Sequence, residues 1–301
     1  DLVHSNSLSM GRLLGATAER LTVPTTSHLR DILKLSKAAV RDLNRNDRLI
    51  AVSKATRDFH VQQGLDASRC EVVYNGIDVS AFARTEESRS RVRSELGIPD
   101  SAIVILTAGQ IGLRKGLDTV AAAAVEIARR REVHADPEQA EVHWLLAGER
   151  FSNKQESVEF EALVDERFRS AAPGVQFHSL GFRHDLRDVM SASDLLVHGA
   201  RQEPLGRVLL EAGASGLAIV ATRVGGTEEI LNDGESALLV PPDSVGEMAN
   251  AIEVLLDDPA RRDALRAAGS ARIASRFTIA DSSAQTIEVW RSVLDGRMTD
   301  D

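Results

Sequence analysis

The sequence predicts an α/β chain of two doubly wound lobes, the first of them incomplete. Three observations carry that expectation. Short runs rich in Val, Ile and Leu alternate with amphipathic stretches along the chain, the pattern of parallel βαβ units. A polar stretch at 83–100 separates about four strand runs from six. The 301 residues exceed the usual size of one domain.

The first series begins with the run "DLVHSNS" and a helical pattern at 8–20. "LTVPTTSHL" is the next strand, followed by a helix expected within 30–48. "DRLIAVS" leads into a helix at 54–64, and "CEVVYNG" closes the series. Four strands are fewer than a full nucleotide-fold sheet has, and the chain opens at Asp1 in a strand-like run. A partial N-terminal lobe at 1–83, with its beginning missing, is therefore expected. The stretch 83–100 reads as a linker with a short surface helix whose charges face water. A second series then supplies six strands: "AIVILTAGQI", "VHWLLAGE", "VQFHSLGF", "LLVHGA", "AIVATRV" and "SALLVPP". Helices are expected between them at 116–132, 154–171, 186–193, 206–214 and 227–232. The six strands make a complete lobe over 84–278. Residues 243–296 are helical in pattern, with breaks at 257–259 and 277–278.

Composition excludes several classes. A formal net charge of −9 disfavours nucleic acid, whose phosphates call for a basic face. Residues 1–84 carry 12 Lys and Arg against 9 Asp and Glu, and the remainder 24 against 36, a basic front and an acidic rear. Cys70 is the sole cysteine, so neither an internal disulfide nor a cysteine metal cluster exists, and a cytoplasmic setting is the simplest reading. No apolar run has the length of a membrane span. The histidines show no ligand spacing, and no metal site is expected. His4, His60, His134, His143, His178 and His184 read as ordinary surface or core residues; for His198 a pocket-lining and a structural role are equally open.

The sharpest local signal is "RQEPLGRVLLEAGASG" at 201–216, set between two strands and so at the carboxyl end of a parallel sheet, where such sheets bind ligands. Glu203 and Glu211 lie eight residues apart, which in a helix is roughly 12 Å. That separation suits two carboxylates accepting from a sugar and from a ribose, with a diphosphate between them at Gly206 and the helix N-terminus. Each glutamate could equally complement a helix dipole or face water. The segment "LTAGQIGLRKGLD" follows the first strand of the same lobe and brings Gly109, Gln110, Arg114 and Lys115 to that strand's end. Its spacing is not that of a dinucleotide fingerprint; a glycine loop with adjacent cations suits a diphosphate.

Taken in order, "AVSKATRDF", "VVYNGID", "GQIGLRKG", "WLLAGE", "LGFRHDL", "ASDLLVH", "EPLGRVLLEAGASG", "VATRVGGTEEIL" and "LLVPPDSV" resemble the family-four glycosyltransferases of GT-B fold, over most of the chain. The resemblance implies two Rossmann-like lobes, the N-terminal one incomplete here, and a final helix at 279–301 returning toward the N-terminal lobe through Ile279, Ile287, Trp290 and Leu294. It implies transfer of a sugar from a nucleoside diphosphate sugar to a hydroxyl of a glycan, lipid or small molecule, with retention and without a cofactor. Glu203 would hold the donor sugar's hydroxyls and Glu211 the ribose. Leu205, Gly206 and Arg207 would offer backbone amides to the sugar, and Val208 would adjoin the phosphate and ribose. Lys115 would neutralise the diphosphate, and Glu149 with Gly181, Phe182 and Arg183 would edge the base. His28 would face the reaction centre. Gln110 stands where the family commonly has arginine, and Arg114 could replace its charge. The family's glycine-rich acceptor loop has no counterpart. The sequence has no D-x-D, so a metal-bridged diphosphate is not expected. A sugar-nucleotide-binding remnant without activity is the alternative; the E-x7-E spacing and the "GLRKG" loop argue against a GT-B epimerase or phosphorylase.

Within 30–48, Lys34, Lys37, Arg41, Arg45 and Arg48 recur at spacings of three and four beside an apolar stripe of Ile32, Leu35, Ala39 and Leu43. Such a helix can make a weak peripheral contact with anionic lipid at the inner membrane face. Packing of the apolar stripe on the front sheet is the commoner use of the pattern, and Asp42 favours it.

Overall fold

A computed structural model describes residues 1–133 and 140–298; His134 lies outside them. The chain divides into two compact units. The first comprises Asp1–Ile77, the short segment Glu203–Gly206 and the C-terminal segment from Arg276; the second comprises Asp78–Gln202 and Arg207–Ser275.

The first unit holds a parallel sheet in the order β1-β2-β3-β4, formed by β1 (Val3–Ser5), β2 (Thr25–Leu29), β3 (Arg48–Ala51) and β4 (Cys70–Val72). Helices α1 (Leu8–Thr17), α2 (Lys37–Leu43) and α3 (Lys54–Gln62) connect the strands. Each starts at a serine, Ser7, Ser36 or Ser53, whose hydroxyl accepts from a backbone N–H of the first turn. Leu8, Leu29, Leu43, Leu49, Ala51 and Cys70 form the core.

Two expectations fail in this unit. The helix sought within 30–48 is only α2, because residues 30–36 run without helical structure before the Ser36 cap. The basic stripe is therefore broken. Lys34 precedes the helix and Arg48 sits in β3; Arg41 pairs with the buried Asp42 at 3.1 Å and Arg45 with Glu19 at 3.3 Å.

The second unit has a six-stranded, wholly parallel sheet in the order β10-β9-β8-β5-β6-β7. After α4 (Glu86–Leu96), the elements run β5 (Ile103–Ala108), α5 (Leu117–Val133), β6 (Val142–Ala147), α6 (Gln155–Arg169), β7 (Gln176–Gly181) and α7 (Leu186–Ala192). There follow β8 (Leu195–His198), α8 (Arg207–Ala214), β9 (Ala218–Thr222), α9 (Thr227–Ile230), β10 (Leu238–Val240), α10 (Val245–Asp257) and α11 (Pro259–Arg276). Ile105, Trp144, Phe168, Val197, Val220 and Ile252 lie in one continuous core. Trp144 Nε1 donates to Thr107 Oγ1 at 3.0 Å, so the largest buried ring leaves no orphan donor. The strand order reverses between β5 and β8, which makes their carboxyl ends the place for a ligand.

The polar stretch at 83–100 is more than a solvated linker. Arg93 of α4 is 1% exposed and donates to the carbonyls of Pro99, Asp100, Ala102 and Ala192 at 2.9–3.2 Å and to Asp194 at 2.8 Å. Arg84 and Arg89 approach the same carboxylate at 3.5 and 3.4 Å. A buried guanidinium is tolerated here because its N–H groups all find carbonyl or carboxylate acceptors. The last helix, α12 (Ile279–Met298), belongs to the first unit. Trp290 is half-buried with its ring 5.2 Å from that of His4, and Val293 is buried, whereas Ile279 and Ile287 are 51% and 42% exposed. Of the four residues that the sequence pattern singled out, Trp290 and Leu294 are half-buried beside Val293, while Ile279 and Ile287 lie outward.

Arg93→Met should destabilise the protein by about 3 kcal/mol, since Asp194 loses its shortest ion pair and the carbonyls of Ala102 and Ala192 lose a buried donor. Urea titration of the purified variant checks this; a loss under about 1 kcal/mol would show that α4 is only a surface linker.

Candidate functional site

In the second unit, the carboxyl ends of β5, β6 and β7 are laced together by backbone hydrogen bonds. Gly109 N donates to Ala147 O at 3.0 Å, Ile111 N to Glu149 O at 3.0 Å and Gly148 N to Gly181 O at 2.8 Å. A Cβ on Gly148 would stand 1.8 Å from Gly109 O, so no other residue fits that crossing. The ends enclose a pocket of about 220 Å³ lined by Gly109, Gln110, Glu149, Phe151, Phe182 and Arg183. Phe151 and Phe182 are 73% and 55% exposed, an apolar rim left uncovered. Arg183 is committed elsewhere: Glu95 at 2.6 Å and Asp185 at 2.7 Å hold its guanidinium and raise its pKa further.

The cationic loop lies beside this pocket, at the end of β5. Leu113–Lys115 make one 3₁₀ turn, closed by Gly116 at φ 59°. A Cβ on Gly116 would lie 1.9 Å from Gly199 O, which brings the turn against the end of β8. Arg201 fastens the two. Its N–H donates to Arg114 O at 2.8 Å, and its guanidinium donates to Leu113 O at 2.6 Å, to Asp118 at 2.8–2.9 Å and to Asp243 at 2.7 Å. The two aspartates balance Arg201, and Arg114 and Lys115 stand partly exposed on the turn it fixes. Sequence reasoning quoted Arg201 at the head of the 201–216 motif and gave it no role. The signal was there in "RQEPLG", but its partners are loop carbonyls and carboxylates far along the chain.

Helix α8 carries Arg207, Val208 and Glu211. Glu211 is 12% exposed in its side chain and 3.0 Å from Arg207; burial pushes its carboxyl up, against the pull of Arg207. The preceding residues Glu203–Gly206 are all buried and group with the first unit. There Pro204 O accepts from Ser53 Oγ and from Thr56 Oγ1, fixing this segment to the start of α3. Gly206 has φ 103°, a conformation that favours glycine.

His28, 7% exposed in β2 of the first unit, is bonded through Nδ1 to His4 Nε2 at 2.9 Å. Burial, and the charge of Arg30, pull its pKa down to about 3. His4, which the sequence read as an ordinary surface or core residue, is half-buried and bonded to both Thr26 and His28. His60 is buried and bonded to Asp31 O, and buried His143 stacks on half-buried His178, in keeping with a structural part. No group of three His, Cys, Asp or Glu among the described residues could hold a metal ion, and no described helix is long and apolar enough to cross a membrane.

The family of glycosyl transferases group 1 matches residues 88–272, and Glycosyltransferase Family 4 matches residues 1–81. The chain belongs to the group 1 glycosyltransferases. Its relatives include the D-inositol 3-phosphate glycosyltransferase of Kineococcus radiotolerans, 30% identical over 99% of this chain and 72% of that protein. The alpha-maltose-1-phosphate synthase of Mycolicibacterium smegmatis is 30% identical over 82% of this chain and 63% of that protein. Among solved structures, Anabaena HepE in complex with UDP superposes with a TM-score of 0.84 and 26% identity, over 97% of this chain and 79% of that one. The group 1 glycosyltransferase fold, with two parallel α/β sheets, thus accounts for both units of this chain.

Burial keeps His28 of this glycosyltransferase neutral, which has a consequence for acid stability. Its folded pKa, about 3, lies below the unfolded value of 6.5, so its contribution is complete above pH 6.5 and is lost as the pH falls toward 3. The unfolded chain takes up the proton first, at up to about 1.4 kcal/mol per pH unit. Denaturant titrations between pH 7 and 4 should give a shallower decline for His28→Gln than for the parent; equal slopes would mean that His28 is accessible to protons.

Proposed function

We propose that this glycosyltransferase takes a nucleoside diphosphate sugar as donor and passes the sugar to a hydroxyl acceptor, with retention and without a metal ion. The observation that carries the reading is the juxtaposition, on one sheet edge, of an aromatic-rimmed pocket, a cationic turn and a helix bearing a largely covered carboxylate. A volume of about 220 Å³ is small beside the roughly 300–1,000 Å³ of a whole-ligand site and suits a flat base alone. Gln110 and Glu149 offer polar groups at its edge, and Phe151 and Phe182 offer apolar faces. From there the diphosphate would lie over the turn of Arg114 and Lys115. Arg114 supplies the charge that Gln110 lacks.

Glu211 would accept from the ribose hydroxyls, and Glu203 from the sugar hydroxyls, near the amides of Leu205, Gly206 and Arg207. Val208 would adjoin the phosphate and ribose. As the bond to the sugar breaks, negative charge grows on the departing diphosphate. Lys115 and the N-terminal amides of α8 would stabilise it as fixed charges and dipoles that need no reorganisation. Those groups supply the role a bridging cation would otherwise fill, and the sequence has no D-x-D to hold one. Retention follows from the family resemblance. His28 would face the reacting sugar as a neutral imidazole. HepE, in complex with UDP and with UDP-glucose, favours a uridine nucleotide as the first donor to try.

Calorimetric titration with UDP and UDP-glucose, in chelator, tests the assignment. Lys115→Ala and Glu211→Ala should each weaken UDP binding about tenfold or more, the worth of a charge-assisted contact. Glu203→Ala should leave UDP binding intact and weaken UDP-glucose. Equal losses for both ligands would refute the division between the two glutamates.

A further inference from the structure

His4 and Thr26 form a chain of hydrogen bonds that ends on His28. Thr26 Oγ1 lies 2.7 Å from His4 Nδ1, and His4 Nε2 lies 2.9 Å from His28 Nδ1. The rings of His4 and His28 meet edge to face with centroids 4.9 Å apart, and Trp290 closes over His4 at 5.2 Å. Thr26 is fully buried, and His4 is the sole partner of its hydroxyl among the described residues.

That single partner fixes the direction of the chain. A buried donor left without an acceptor costs more than an empty lone pair, so the hydroxyl proton must point at His4. His4 Nδ1 then accepts, and a neutral imidazole that accepts at Nδ1 carries its proton on Nε2. That proton points at His28 Nδ1, which is an acceptor in turn. The remaining proton of His28 is left on Nε2. Burial and the nearby Arg30 lower the pKa of both rings, so each stays neutral and holds one proton.

We propose that Thr26 and His4 are a tautomer lock that presents His28 as a neutral N–H donor, through Nε2, to an oxygen of the sugar substrate. His4 and Thr26 are positioning residues: they touch neither substrate nor leaving group and act through His28. The last part rests on the placement of His28 at the reacting sugar; the lock itself does not.

Nitrogen NMR of the chain labelled with ¹⁵N-histidine reads each tautomer directly. The expected spectrum has Nε2 protonated and Nδ1 bare on both His4 and His28. His4→Phe and Thr26→Val should each let His28 populate the Nδ1–H form, and His4→Gln, whose amide can donate to His28 Nδ1, should restore the Nε2–H form. Hydrolysis of UDP-glucose should then fall in kcat about tenfold in His4→Phe with KM within twofold, and recover in His4→Gln. A parent chain with His28 protonated on Nδ1 overturns the lock, as does a His28 tautomer unmoved by both His4→Phe and Thr26→Val. The parent spectrum decides the matter even if a variant fails to fold. Added UDP-glucose should shift the His28 Nε2 signal. If it does not, while the tautomer is as stated, the placement of His28 at the sugar fails and the lock stands.

Discussion

One guanidinium closes the carboxyl edge of the second unit's sheet. Arg201 reaches the loop after β5, the start of α5 and the loop before α10, binding two carbonyls and two aspartates. The loop after β5 already meets the end of β8 as closely as backbone atoms permit, since Gly116 meets Gly199 with no room for a side chain, and Gly148 meets Gly109 in the same way at the neighbouring strand ends. Glycine at these crossings lets the chain pass, and the arginine holds the passage shut. The cationic turn inherits its position from this contact, and the small pocket beside it from the backbone bonds that join β5, β6 and β7.

The same arrangement reconciles an acidic lobe with an anionic ligand. Residues 85–301 carry 36 acidic against 24 basic side chains, so the net field there would repel a diphosphate. Binding at such a surface depends on local charge instead. Acidic groups around Arg201 and Arg183 are consumed in ion pairs at 2.6–2.8 Å, which removes much of their reach in water. Arg114, Lys115 and the amides of α8 then act over a few ångströms, where they outweigh the distant excess.

Much of this fold is legible in the sequence because strands such as β5, β6, β8 and β9 are buried on both faces and read as nearly continuous apolar runs. All ten strands among the described residues fall within runs that the pattern marks, and the motif residues at 109–115, 149, 181–183 and 203–211 fall at strand ends, in the loop after one or in the helix that follows. What the pattern cannot give is long-range pairing. Residues 30–36 share the helical spacing of α2 but lie outside it, with Leu35 N donating to Gln63. Arg93 looks like one charge among many until Asp194, about a hundred residues on, fixes it in the core. His4 gains its meaning from His28 on the neighbouring strand, and Arg201 from carboxylates at 118 and 243.

A crystal structure of the chain with UDP, grown in chelator, tests the central claim most directly. The account predicts uracil between Phe151 and Phe182, ribose hydroxyls on Glu211, and phosphate oxygens within about 3 Å of Lys115 Nζ and the first amides of α8. A nucleotide whose diphosphate lies away from both the 113–116 turn and α8 would contradict it.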